Sequence, residues 1–297
     1  MLVRGRLASA QGQASPEWVA LVFLVALALA AAAAAGMRVP GLELARAVAA
    51  KITCAARLDG ACGRDELAAA LGPELAALAR EHAPELRYEE GMRALPVDFR
   101  SCREDPCSLG PESGLVTKSL AGEPVTLFVE ALDCRKPHAA PPQRDCSGER
   151  YGRLYLHYWA YYPGSQTMRA VLGERGYHAD DWESFQVRID GEQVAVRASS
   201  HHGYNHRPGV GNWPSDAGFV KRSGWGPGTR TYYIAGGSHA GHAYEPGDPE
   251  PHRWTPAGAV RLVPVRALSE RDRATRFAVA PPWRKRVTRD PEYTGTD

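Results

Sequence analysis

The spacing of apolar and polar positions changes along this chain, and each change marks a boundary between elements. Trp18 to Ala35 is apolar without interruption, about eighteen residues, the lower limit for a helix that spans a bilayer. Leu42, Leu44, Ala45, Val48, Ala49 and Ile52 recur at helical spacing and predict an extension of that helix beyond Gly36. Asp65-Glu66 opens a second amphipathic segment with Leu67, Leu71, Leu75 and Leu78 on one face. Gly72-Pro73 interrupts it, with proline suited to the first turn of a new helix. Further on the period falls to two. Val125–Val129, Arg153–Tyr161, Glu183–Ile189, Gln193–Ser199, Thr231–Ala235 and Val260–Val265 read as strands, and Asp190-Gly191 is a two-residue hairpin signal. Short strands, glycine-rich turns and no helical periods between them predict a mainly β fold, an antiparallel β-sandwich. The expected order is a transmembrane or signal helix at 13–36, a helical stalk at 37–92, the β domain at 93–280 and an exposed tail, rich in Pro, Arg and Lys, at 281–297.

Composition agrees with this division, since alanine and leucine dominate the first part and glycine and proline the second. The 36 Lys and Arg nearly balance 34 Asp and Glu. The basic residues are dispersed, so the electrostatic footprint of a nucleic-acid-binding protein is lacking. The six cysteines stand at short spacings, Cys54 with Cys62, Cys102 with Cys107 and Cys134 with Cys146, and none forms Cys-x-x-Cys. In an exported protein an even count favours disulfides, and local pairing is the simplest scheme; free buried cysteines are the alternative.

Arg4 and Arg6 precede the apolar run, which keeps the N-terminus cytoplasmic and sends the remainder outward. Gly12-Gln13-Ala14-Ser15-Pro16-Glu17 immediately before it resembles the class III signal of Flp and TadE-like pilin proteins. The resemblance implies a leader at 1–12, cleavage after Gly12 by a prepilin peptidase, and Glu17 as the recognised glutamate. It also implies pilin-like or tight-adherence components as partners, with the cell membrane as location and the C-terminal domain outside. A carboxylate at the head of an apolar helix calls for a partner in lipid. Two alternatives remain: a plain anchor with Glu17 at the interface, and a secretory signal cut in the Ala30–Ala35 run.

Candidate chemistry concentrates in Gly176-Tyr177-His178-Ala179-Asp180-Asp181-Trp182-Glu183, one imidazole and three carboxylates within six residues. Eight of the 10 histidines fall between His157 and His252, including His201, His202, His239 and His242. Alternation places Asp181 and Glu183 on one strand face and turns Trp182 toward the core. Two carboxylates on one face repel unless a cation or donors sit between them. Hard oxygen ligands beside imidazole suit a divalent cation, calcium or magnesium, with His178, Asp180, Asp181 and Glu183 as candidate ligands. The alternative is a surface edge whose acids pair with Arg188 or Arg197. His201, His202 and His239 are candidate ligand-binding residues. Glu183 or His239 could act as a general base, yet no nucleophile elbow or zinc signature appears. Binding therefore ranks above catalysis.

The aromatic strand Tyr155–Pro163 and the matches His178, Asp181, Trp182 and Glu183 resemble the NLP (necrosis- and ethylene-inducing-peptide-like) proteins, whose heptapeptide is Gly-His-Arg-His-Asp-Trp-Glu. Tyr233–Ala240, with Gly237-Ser238-His239-Ala240, resembles the broader vacuolar-protein-sorting-62-like group. The resemblance implies a β-sandwich with a divalent cation at one end and, as a further alternative, a secreted hydrolase or cytolysin-like toxin. The family carries a metal-binding aspartate after the aromatic-strand proline, where this chain has Pro163-Gly164-Ser165. Asp180 or Glu174 substitutes, or the site binds cation weakly or not at all.

Overall fold

The computed structural model describes residues 65–90, 95–102, 125–136, 146–166, 177–200, 203–205, 224–245 and 254–294. The chain divides into two units, Met1–Arg64 and Asp65–Asp297, and every described residue belongs to the second. The expectations for the leader, the membrane helix, Gly12, Glu17, and the Cys54–Cys62 pair lie outside the described residues. No described helix is long and apolar enough to cross a membrane.

The second unit opens with helix α1 (Glu66–Leu71), capped by the Asp65 side chain, which accepts from Ala68 N. The chain turns at Gly72, whose φ of 85° suits glycine, and Pro73 begins helix α2 (Pro73–Glu81). Leu67, Leu71, Ala76 and Ala79 join the main core, and the buried Tyr158 hydroxyl donates to Ala79 O at 2.8 Å. Residues 65–81 are therefore part of the β unit, not the outer end of a stalk. The apolar stripe on the leucine face has a sheet to pack against.

Two sheets meet across that core. The smaller holds β1 (Glu85–Glu89), β8 (Thr231–Ile234), β9 (Gly241–His242) and β10 (Trp254–Pro256), in the order β10-β1-β8-β9. The larger contains β2 (Val125–Asp133), β3 (Leu154–Gln166), β4 (Tyr177–Asp190), β5 (Gln193–Ser200), β6 (Gly203–Asn205) and β11 (Val260–Pro264), in the order β11-β2-β3-β4-β5-β6, with β7 (Gly226–Pro227) also on β5. Leu86, Tyr232 and Ile234 of the first sheet pack with Leu127, Tyr158 and Phe185 of the second. The fold is mainly β, but its sheets are mixed and not antiparallel throughout: β1 runs parallel to β8 and β11 parallel to β2. The hairpin between β4 and β5 pairs Asp190 with Gln193, so its two loop residues are Gly191 and Glu192, one step later than the Asp190-Gly191 signal. Gly191 takes the left-handed φ of 59°.

Strand β3 is buried on both faces. Leu156, Tyr158, Ala160 and Tyr162 belong to the main core. Trp159 and Tyr161 face a second core with Phe99, Phe128, Trp182 and Val287, against which Phe277 and Trp283 pack. This explains an aromatic run without polar alternation. The second core is closed by the C-terminal segment, so the expectation of an exposed tail from residue 281 does not hold for Pro282, Lys285, Val287 and Thr288, which are buried. Its Pro- and Arg-rich composition concealed the apolar anchors that fix it. Cys134 and Cys146 form a disulfide, packed with Leu132 and Tyr155. Cys107, the expected partner of Cys102, lies outside the described residues.

Candidate functional site

The register of β3 and β4 builds the site. Tyr162 pairs with Asp181, Tyr161 with Trp182 and Ala160 with Glu183. Asp181 and Glu183 thus share the face of Ala160 and Tyr162, while Trp182 enters the second core among Phe99, Tyr161 and Phe277 at ring separations of 5.8, 5.0 and 5.5 Å. Burying an aromatic side chain of this size contributes about 2–3 kcal/mol, which fixes Trp182 and with it the direction of both flanking acids.

Pairing of β4 with β5 runs from Asp190–Gln193 to Phe185–Ala198 and stops there; β5 continues against β6. At the end of this ladder Ser199 replaces a backbone partner. Its Oγ accepts from Ser184 N at 2.5 Å and donates to the Glu183 carboxylate. Beside it lies a cavity of about 190 Å³, lined by Asp181, Glu183, His178, Ser199, Ser200 and Lys285 together with Trp159, Trp182 and Tyr204. Trp159 Nε1, Trp182 Nε1 and Ser200 Oγ are buried with no hydrogen-bond partner among the described residues.

Both acids are buried, Asp181 at 6% and Glu183 at 7% exposure. Burial pushes the Glu183 carboxyl well above the usual range, and the Asp181 charge adds to the rise against the opposing Ser199 hydroxyl and Lys285 ammonium. Burial also raises the Tyr162 and Tyr232 hydroxyls, reinforced by the charges of Asp181 and Glu183. Asp181 Oδ2 lies 2.9 Å from His239 Nδ1. A proton on Nδ1 completes this bond and leaves the lone pair on Nε2. The His239 ring is held by stacking on Tyr162, centroids 3.8 Å apart, and its backbone adopts φ 55°. The acids do not pair with Arg188 or Arg197, which are engaged by Glu292 and by Gln186 and backbone carbonyls.

Asp181, Glu183 and His178 thus share one cavity. Asp180 is directed elsewhere, its carboxylate accepting from the Tyr161 hydroxyl and Ala278 N, both at 2.7 Å. His178 Nδ1 lies 3.1 Å from Asp180 O and faces that carbonyl as a donor. Ser165 is buried, its hydroxyl donating to Gly237 O at 3.4 Å, so it ties β3 to the His239 turn. His201, His202 and Glu174 lie outside the described residues. Among the described residues no group of three or more His, Cys, Asp or Glu side chains is gathered as in a metal centre. The donor set is two carboxylates with an imidazole nearby, which suits a cation that keeps water ligands. Lys285 and Ser199 carry parts of the site that the motif did not reveal. Ser199 sits just past the end of the β4–β5 ladder, and Lys285 arrives on a segment with no periodic signal.

No protein-family model matches the chain, and no curated protein does. Solved structures to which it is similar include NLPPya in complex with glucosamine, at 18% identity and a TM-score of 0.39, covering 75% of this chain and 90% of that one. NLPPya in complex with mannosamine gives 18%, 0.39, 75% and 90%. The non-toxic HaNLP3 protein gives 16% identity and a TM-score of 0.35, over 67% of this chain and 78% of that one. At this level of overlap no site residue is carried across.

Proposed function

We propose that the chain is a membrane-anchored, outward-facing protein whose NLP-like β domain acts as a binding module. The cavity beside Asp181 and Glu183 takes a small polar group from a glycan, a lipid headgroup or a partner protein. The supporting observation is the lining of that cavity, which sets the two buried carboxylates of Asp181 and Glu183 beside His178, Ser199, Ser200 and Lys285. Buried polar atoms are ordinarily hydrogen-bonded, so such a lining fits a polar occupant. Calcium or magnesium belongs to the same reading: Asp181 and Glu183 would hold it, with His178 at the rim. The bound ion would cancel the repulsion within the pair and offer a position to a ligand oxygen. The N-terminal segment, cut after Gly12 and anchored beyond Glu17, presents the domain among pilin-like components.

A second reading, metal-assisted hydrolysis, draws on the Asp181–His239 bond, because a carboxylate can orient an imidazole as a general base; it requires the buried His239, which lies outside the cavity lining, to reach the substrate. Titrating the full chain with calcium or magnesium should raise its melting temperature by linkage, and Asp181→Asn with Glu183→Gln should abolish the rise. No shift with either ion removes the cation from both readings. Turnover of phosphoester, ester or glycan substrates by the wild type, lost in His239→Asn, would establish the hydrolase. N-terminal sequencing of the membrane fraction should begin at Gln13; a start near Gly36 establishes a secretory signal instead.

A further inference from the structure

Lysine is seldom buried without an anionic neighbour, yet Lys285 is only 8% exposed. Its position is fixed by the backbone around it. Two 3₁₀ turns, Pro282–Arg284 and Arg286–Thr288, flank it; its N–H donates to Pro282 O at 3.1 Å, and the Thr288 hydroxyl donates to its carbonyl at 2.8 Å. Val287 beside it is buried in the second core. Further along, Glu292 fastens the same segment to Arg153 and Arg188, and Arg197 donates to the carbonyls of Pro291 and Tyr293. The Lys285 ammonium, 5.9 Å from the centre of the Trp159 ring, is thereby held in the wall of the cavity that also contains Asp181 and Glu183.

We infer that Lys285 is the site's own counter-cation: its ammonium neutralises the Asp181–Glu183 pair across the cavity in cation-free protein, and a divalent ion entering the site competes with it. Among the described residues Lys285 is the one Lys or Arg side chain in the lining of this cavity, and its charge opposes the rise of the Glu183 carboxyl. In a buried site, where charges interact strongly at short range, an ammonium in the wall stabilises the empty carboxylate pair and repels a divalent ion held between the same carboxylates. The competition rests on the cation reading above; the neutralisation does not.

The test therefore has two arms on the full chain. With chelator present, Lys285→Met should lower the melting temperature at pH 7, and the drop should shrink in an Asp181→Asn, Glu183→Gln background, which leaves no carboxylate for the ammonium to neutralise. A drop of equal size in both backgrounds overturns the inference. By isothermal titration with calcium chloride and with magnesium chloride, Lys285→Met should bind at least about tenfold tighter than wild type, while Lys285→Arg, which keeps the charge, stays close to wild type. Binding no tighter in Lys285→Met overturns the competition, even where wild-type binding upholds the cation site. Silence of both proteins overturns the cation reading and the competition together and leaves the chelator arm to decide neutralisation. Were Lys285→Met to fail to fold, Lys285→Gln serves in both arms.

Discussion

Glu292 and Glu183 are both withdrawn from solvent, yet their surroundings drive them in opposite directions. Glu292 accepts from the Tyr155 hydroxyl at 2.6 Å, Arg153 at 2.9 Å, Trp225 Nε1 at 2.8 Å and Arg188 at 3.2 Å. Burial alone would raise its carboxyl, but these donors and the Arg188 charge overcome it and hold the group below the ordinary range. Nearby, Arg197 stacks on Tyr204 and Trp225, its Cζ 3.8 and 4.3 Å from the ring centres, and burial pulls its guanidinium down to about 10. Glu183 has one hydroxyl donor and a like-charged neighbour, so burial prevails. One carboxylate is an anchor whose needs are met within the fold. The other is left short of donors in a cavity.

The largest effect expected from breaking this contrast lies at the anchor. Glu292→Ala removes the shared acceptor of Arg153, Arg188, Tyr155 and Trp225 and should cost about 3 kcal/mol at pH 7, read by urea unfolding. A loss below about 1 kcal/mol would mean that water replaces the carboxylate readily. The sign of the pH dependence follows from the depressed carboxyl. Its stabilisation is complete above the unfolded value of about 4.3 and is lost as pH falls through the lower folded value. Wild type should therefore lose stability more steeply below about pH 4 than Glu292→Ala does.

Neither Glu292 nor Lys285 was legible in the sequence. Glu292 meets residues 139 and 104 positions earlier, and no local period records a contact across that distance. The same holds for the parallel pairing of β11 with β2, and for β1, where Glu85-Leu86-Arg87-Tyr88-Glu89 lacks a β-branched run and becomes a strand only because β8 and β10 flank it. Asp181, Trp182 and Glu183 were legible, because period-two alternation is a property of the strand alone. That Asp180 would leave the group was not: its φ of 55° breaks the alternation just before Asp181.

At the carboxylate end the expected change is smaller and opposite in sign. Folded Glu183 keeps its proton where the unfolded chain releases it, so in chelated buffer stability falls as pH rises from about 4.3 toward the raised folded value. Glu183→Gln should match wild type near pH 4 and exceed it by about 1–2 kcal/mol near pH 8, since Gln Oε1 can still accept from Ser199. Parallel curves for the two proteins across that range would mean that the carboxyl is adequately solvated, and the contrast with Glu292 would fail.

The smallest effect sharpens the comparison most. Ser199 serves two partners, accepting from Ser184 N and donating to Glu183. Ser199→Ala leaves the backbone N–H without its acceptor at every pH, a cost of about 1 kcal/mol. The loss of the hydroxyl donor adds to that cost only when Glu183 is ionised. The penalty should therefore grow as pH rises from about 5 to about 8 and should lose its pH dependence in a Glu183→Gln background. Urea curves for the four proteins at the two pH values measure this. A penalty that is the same at both pH values would show that Ser199 acts only as a ladder substitute for Ser184, and that its hydroxyl lends the Glu183 charge no support.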